Sequence, residues 1–393
     1  MSTTRSAPEP LRRGAASRVL HTVAVNRPRR LDRTLVGGVL ALTAIGTVLL
    51  AAATYEPGDP ESPLAYVERH LAHVGIALAA GAAVAFVDYR KPRAYAPIVF
   101  IASSVLLALV LSPLGQVVNG SRSWVALGPV QLQPSEFAKV GLVLMVAMLL
   151  GEPRDGETAP TSRDVLFSLG AMAVPLGLVM LQPDLGTGMV VGVTYLAMLT
   201  LSGAPLRWIA GMLACGVAAV VAVWWFGLLK AYQLARFTSF LDPSLDARGT
   251  GYNANQAMIS VGSGGISGTG LFQGEQTAGR FVPEQHTDFI FTVAGEELGF
   301  VGGIAVIGLL ALVLLRILRI AAGCEQPYAR LVCVGVAAWF AFQGFINIGM
   351  TIGVTPITGI PLPFVSYGGS ATIANMCAVG LVLGVHARDR GFE

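Results

Sequence analysis

Long, uninterrupted apolar blocks set the first limit on how this 393-residue chain folds. Each block runs for about 20 residues, enough for a helix to cross the hydrocarbon core of a bilayer. Backbone N–H and C=O groups in that core have no water to bond, so such blocks form helices that satisfy their own backbone. Composition agrees: 54% of residues are hydrophobic, only 12% are charged, and mean hydropathy is +0.65. A soluble domain carries about 25% charged residues. The expected fold class is therefore an all-α polytopic membrane protein.

Ten spans are expected, near 34–54, 71–88, 94–113, 135–151, 165–181, 187–203, 207–228, 289–315, 329–354 and 364–386. Most of the 26 Lys and Arg fall in the N-terminal tail and in alternate connections. These connections hold Arg90, Lys91 and Arg93; Arg154 and Arg163; Arg207; Arg316, Arg319 and Arg330; and Arg388 and Arg390. The first connection on the other side is acidic, with Glu56, Asp59, Glu61 and Glu68. Positive charge is retained on the cytoplasmic side, so both termini are expected there. The domain reading is a disordered basic tail at 1–33, a ten-helix transmembrane domain at 34–386 and a cytoplasmic C-terminus at 387–393.

Two outer segments are long, 115–134 and 229–287. The second lies between spans 7 and 8 and is far longer than an ordinary connection, which points to function. Cys215, Cys324, Cys333 and Cys377 show neither disulfide nor metal-ligand spacing and read as small buried hydrophobes. The run Gly262-Ser-Gly-Gly-Ile-Ser-Gly-Thr-Gly270 fits neither G-x-G-x-x-G nor a P-loop; it reads as a tight loop against the bundle. Nothing in the pattern suggests a nucleic-acid partner.

Ionisable residues close to the spans are the candidates for chemistry, because each is costly unless paired or wet. Glu136 and Lys139 share a helix face at i and i+3. They read either as an ion pair that packs two helices or as a charged cavity wall with the Lys facing a phosphate. Asp184 reads as a helix N-cap. Glu296 and Glu297 need partners that the sequence does not identify. Arg122, Lys139, Lys230 and Arg236 gather on the outer side, where Arg forks and Lys point charges suit a phosphate or pyrophosphate. In the segment Phe281-Val-Pro-Glu-Gln-His-Thr-Asp-Phe-Ile-Phe291, Asp288 meets the start of an apolar block with His286 two residues away. It reads as an N-cap or as a partly desolvated general base.

Several stretches together resemble the SEDS family (shape, elongation, division, sporulation), the RodA and FtsW membrane proteins of bacterial wall synthesis. They are Asn119-Gly-Ser-Arg-Ser-Trp124, Gln133-Pro-Ser-Glu-Phe-Ala-Lys139, Gln182-Pro-Asp-Leu-Gly-Thr187, Tyr232-Gln233 and Phe240-Leu-Asp-Pro243. Gly251-Tyr252, Pro283-Glu-Gln-His-Thr-Asp-Phe-Ile-Phe291, Glu296-Glu-Leu-Gly299 and Gly359-Ile-Pro-Leu-Pro-Phe-Val-Ser-Tyr-Gly-Gly-Ser370 complete the set. They run in family order across nearly the whole chain after the tail. Ser123 departs from the pattern, since many members carry Arg immediately before the Trp; Arg122 stands one position earlier. Gly274-Glu-Gln276 and Gly359-Ile-Pro-Leu-Pro363 look more like the RodA branch than the FtsW branch.

The resemblance implies a glycosyltransferase that polymerises lipid II, outside the cytoplasmic membrane, into β-1,4 peptidoglycan strands for elongation and shape. It implies that Asp288 is the essential carboxylate and that Glu136 and Lys139 line the same cavity. With Arg122, Lys230, Arg236, His286, Gln133 and Ser366 these make the expected substrate-binding set. The implied partner is a class B penicillin-binding protein, and a divalent cation, Mg2+ or Mn2+, is a further expectation. The alternatives are a lipid II flippase, disfavoured because polar residues gather at the outer edges of the spans, and an FtsW-like septal role.

Overall fold

The computed structural model describes residues 31–56, 63–118, 121–127, 130–151, 159–227, 231–242 and 249–388. Fourteen helices and three short strands are formed by those residues. Helices α1 (Arg33–Thr54), α2 (Leu64–Phe86) and α3 (Arg90–Leu109) lead to a small sheet of β1 (Gly115–Val118), β2 (Ser121–Leu127) and β3 (Val130–Leu132). Then come α4 (Pro134–Leu150), α5 (Ser162–Leu181), α6 (Leu185–Leu201), α7 (Leu206–Trp225), α8 (Ala231–Leu241), α9 (Thr250–Ser263) and α10 (Glu275–Ala278). The chain finishes with α11 (Ile290–Glu297), α12 (Gly299–Ala322), α13 (Pro327–Thr351) and α14 (Gly369–Arg388).

Eight of these helices are long and apolar enough to cross a membrane. Helices α4 and α6, at 17 residues each, are shorter. Local chemistry fixes many starts. Asp32 Oδ1 accepts the Leu35 amide at 2.9 Å to cap α1, Thr161 and Asp164 form a capping box on α5, and Pro134 and Pro327 occupy first-turn positions. Of the eight long helices α13 and α14 are the most enclosed, whereas α7 buries no residue at all. Helices α2 and α14 approach so closely that a Cβ at Gly380 would run into the Gly81 carbonyl.

Both ends of the bundle are pinned by polar contacts. At one end, Asp32 Oδ2 takes Arg316 Nε at 2.6 Å and lies 3.9 Å from His386 Nε2. Arg388 there donates to the Ala85 and Val87 carbonyls at 3.0 and 3.1 Å. The start of α1 and the end of α14 therefore lie at the same end. At the other end, Gln285 Nε2 donates to the Ala53 carbonyl at 2.8 Å, which ties the segment before α11 to the top of α1.

Four expectations are corrected. The fold is not purely helical: segment 115–132 forms an antiparallel meander in which Gly115 pairs with Val125 and Val125 with Leu132. The block at 289–315 is not one continuous helix, because α11 ends at Glu297, Leu298 caps it, and a new helix starts at Gly299. Gly299 has φ +66°, and a Cβ there would strike the Gly268 amide; the glycine-rich turn after α9 lies against that break. The outer segment 229–287 holds helices α8, α9 and α10 rather than a bare loop. Of the cysteines only Cys333 is buried, and Cys215 is exposed on α7. Apolar composition suits a lipid-facing surface as well as a core, so sequence does not separate the two. The tail up to residue 30 and the chain beyond residue 388 lie outside the described residues.

Candidate active site

The site is built from the turn that precedes α11, the loop between α13 and α14, and the polar face of α13. Glu284 adopts φ +52°, a left-handed conformation that costs a non-glycine residue energy. In return its carbonyl accepts the amides of Thr287, Asp288 and Phe289 at 3.1, 3.1 and 3.3 Å. The His286 carbonyl accepts the Tyr367 amide at 3.1 Å, and the Asp288 carbonyl accepts Asn347 Nδ2 at 2.7 Å. The backbone on either side of Asp288 is thus held from three directions.

The Asp288 carboxylate itself makes no hydrogen bond or ion pair among the described residues. The capping alternative fails, since the N-cap of α11 is Phe289 and no side chain caps that helix. A Cβ on Gly359 would stand 3.4 Å from Asp288 Oδ2, so the glycine keeps that approach open. Burial pushes the carboxyl up to about 7 from an ordinary 3.8. Glu284 raises it further, Arg236 works against this, and Asp184 adds to the rise. Arg236 Nη1 donates to the Thr358 carbonyl at 3.2 Å, which places its guanidinium beside the same loop. A carboxylate near neutrality, rigid in its backbone and free at its oxygens, has the properties of a general base.

Beneath it runs a ladder of buried polar groups. Lys139 Nζ donates to Glu136 Oε1 at 2.8 Å and to Gln343 Oε1 at 3.0 Å, and lies 4.6 Å from the Trp339 ring centroid. Trp339 Nε1 donates to the same Gln343 oxygen at 2.6 Å. Gln343 Nε2 donates to the Pro361 carbonyl at 2.8 Å, and Asn347 Nδ2 reaches the Ile360 carbonyl at 2.7 Å as well as Asp288. Trp339, Gln343 and Asn347 are spaced by four, so they share one face of α13. That face joins the Glu136–Lys139 pair to the loop and the turn that frame Asp288.

The other expected residues are placed as follows. His286 lies among the rings of Tyr66 and Tyr367, at centroid distances of 5.6 and 5.9 Å. Arg122 is exposed on β2, with Nη1 3.5 Å from the Leu111 carbonyl, and no hydrogen bond or ion pair among the described residues joins it to the Asp288 turn. Gln133 donates its amide to Ser370 Oγ at 3.0 Å, so its backbone is used to start α4. Ser366 Oγ accepts the Leu362 amide at 2.8 Å and is buried, which makes it a brace of the loop. Lys230 lies outside the described residues. Asp184 caps α6 through the Thr187 amide and hydroxyl, at 3.0 and 2.7 Å. Glu296 finds its partners in the Gln276 and Thr277 amides and the Thr277 hydroxyl, at 2.7, 2.8 and 2.6 Å.

Gln343, Asn347 and Gln285 are the residues that sequence reasoning missed. Two amide side chains four apart inside an otherwise apolar span were a readable sign of a buried polar face. Among the described residues, no group of three or more His, Cys, Asp or Glu side chains is arranged to hold a metal ion.

Fold and site together define a polytopic membrane protein with a carboxylate, free of hydrogen bonds among the described residues, at one end of its helical bundle. The chain belongs to the FtsW/RodA/SpoVE family of cell cycle proteins, whose family model matches residues 33–391. Peptidoglycan glycosyltransferase MrdB of Escherichia coli K12 is 36% identical over 360 residues, 92% of this chain and 94% of that protein. The probable peptidoglycan glycosyltransferase FtsW of Coxiella burnetii is also 36% identical, over 90% of this chain and 95% of its own length. A solved chain described for the coordination of polymerization and crosslinking by a peptidoglycan synthase complex is 34% identical, with a TM-score of 0.76 and coverage of 91% and 98%.

Proposed function

We propose that this chain is a peptidoglycan glycosyltransferase that joins lipid II units into β-1,4 glycan strands at the outer face of the cytoplasmic membrane. The observation that carries the reading is Asp288, rigidly presented, unbonded at its carboxylate and poised near pH 7. The names of the relatives support the activity. In the proposed step, the acceptor hydroxyl gives its proton to the Asp288 carboxylate as its oxygen attacks the anomeric carbon of the donor. The bond from that carbon to the diphosphate breaks, and undecaprenyl diphosphate leaves with the electron pair. One displacement inverts an α-linked donor to a β product. Arg236, beside Asp288, is suited to neutralise the leaving diphosphate.

The charge pattern supports ten crossings with cytoplasmic termini, because the end that carries Asp32, Arg316 and Arg388 is the basic one. The opposite end, with Asp288, then faces outward. The proposed partner is a class B penicillin-binding protein, in keeping with the complex formed by the structural relative. The proposed role is elongation, supported by the RodA-like stretches at 274–276 and 359–363. Any Mg2+ or Mn2+ enters on the substrate diphosphate, since Mg2+ is commonly held by one or two carboxylates plus substrate phosphates. The test is polymerisation of purified lipid II by the purified chain, with and without its transpeptidase. Asp288→Ala should make no polymer while remaining folded and partner-bound; normal polymer from that variant would sink the assignment.

A further inference from the structure

Next to the Asp288 turn stands a group of rings that the displacement step leaves unused. Tyr367, in the loop before α14, is its hub. Its ring lies 6.1 Å from Tyr66, 5.9 Å from His70, 6.2 Å from His73 and 5.9 Å from His286, centroid to centroid. Tyr66 and His286 meet edge to face at 5.6 Å. The group is locked to the reactive turn, because the Tyr367 amide donates to the His286 carbonyl and His286 is two residues from Asp288. Its outer member is open: Tyr66 is 40% exposed, and His286 and Tyr367 are only partly buried. Its inner members hold unspent hydrogen-bonding capacity, since His70 Nε2 and His73 Nδ1 are buried with no partner among the described residues. A buried polar atom without a partner costs about 1–3 kcal/mol, and such atoms call for an explanation.

We propose that Tyr66, His286 and Tyr367 form a stacking platform for a hexosamine ring of the substrate, backed by the unpartnered nitrogens of His70 and His73. This rests on the glycosyltransferase reading and names where that reaction seats a sugar. The chemistry separates the possible ligands. A sugar has a C–H face that is weakly positive and suits the negative face of an aromatic ring, and a rim of hydroxyl and amide groups that suits imidazole nitrogens. A prenyl chain would use the rings and leave the nitrogens unspent. A diphosphate would need cations, yet burial holds the His286 imidazole below its ordinary pKa and favours its neutral form, with Glu284 opposing this and Arg280 reinforcing it. Arg280 in turn is engaged with Glu56 at 2.7 Å.

The test is done in the Asp288→Asn background, where turnover is blocked and binding is read alone. Affinities of the full chain in nanodiscs are measured for lipid II and for undecaprenyl diphosphate, which has no sugar. Tyr66→Leu should weaken lipid II binding about tenfold, a loss of about 1.4 kcal/mol, and leave undecaprenyl diphosphate within about twofold. Tyr66→Phe and Tyr66→Trp, which keep a ring face, should bind lipid II as the parent does. Tyr66 is exposed enough that its truncation should leave thermal stability unchanged, and a melting curve checks this. Unchanged lipid II affinity in Tyr66→Leu, an equal loss for both ligands, or a loss in Tyr66→Phe as large as in Tyr66→Leu would each overturn the platform. Failure of the wild-type chain to polymerise lipid II would instead overturn the reading beneath it.

Discussion

Replacing Lys139 by Met tests the buried polar ladder at its most loaded point. The Lys139 and Glu136 side chains are 3% and 2% exposed, so neither charge is relieved by water. Lys139→Met removes two hydrogen bonds, at 2.8 and 3.0 Å, and the contact with the Trp339 face. Glu136 then has no partner on either oxygen among the described residues, because its Oε2 already has none there. Removing one member of a buried pair costs about 3–5 kcal/mol. Glu136→Gln should cost a similar amount, since the ammonium keeps only Gln343 and the Trp339 ring. The double variant, with both charges gone and both shapes kept, should return to within about 1 kcal/mol of wild type, because a buried pair gives little net stability over a neutral replacement. The coupling energy would then be at least about 5 kcal/mol in magnitude, against about 0.3–0.5 for sites that do not interact. Unfolding of the purified protein by SDS, followed by circular dichroism for all four forms, measures it. Additive losses would refute the reasoning. Polymerisation by the double variant then separates two roles: recovered activity marks the pair as packing, whereas a stable but inactive double variant marks Lys139 as a diphosphate contact.

The rate of polymerisation should climb with pH to a plateau above about 7, because the base must be ionised and burial holds Asp288 up at about 7. Arg236→Gln should move that limb to higher pH and Glu284→Gln to lower pH, read from the pH dependence of kcat/KM. For stability the sign is opposite: between about 4 and 7 the folded state holds the Asp288 proton and the unfolded state does not, so this group's contribution falls as pH rises through that window. Asn347→Ala should lower kcat with little change in lipid II affinity, by loosening the Asp288 carbonyl; an unchanged kcat would remove Asn347 from the positioning set. Gly299→Ala should destabilise the protein by more than about 1 kcal/mol, since a left-handed φ and the Gly268 amide both oppose a Cβ. Chelation by EDTA should leave lipid II-free melting curves unchanged, and any loss of polymerisation should be restored by Mg2+ or Mn2+; a chelator-induced drop in stability would point instead to a resident metal.

The apolar blocks, their approximate ends and the placement of basic charge in alternate connections were legible in the amino-acid sequence, because each depends only on residues close together in the chain. So were the Glu136–Lys139 pair, three residues apart on one helix, and the Asp184 cap, three residues from the amide it holds. Asp288 was legible as an ionisable residue at a membrane edge, but whether it capped a helix was not. That was decided by Asn347, which is 59 residues away, and by Glu284, whose strained backbone gathers three amides. The same holds for Lys139 with Gln343, 204 residues apart, and for Gln285 with Ala53, 232 apart. The split of the eighth apolar block at Leu298 also came from a distant segment, the turn at Gly268. Hydrophobicity reports only a preference for leaving water, and it does not distinguish Cys215, exposed on an apolar helix, from the buried Cys333. Which apolar faces meet protein, and which polar groups meet each other across the bundle, depends on packing geometry, and only the tertiary structure supplies that.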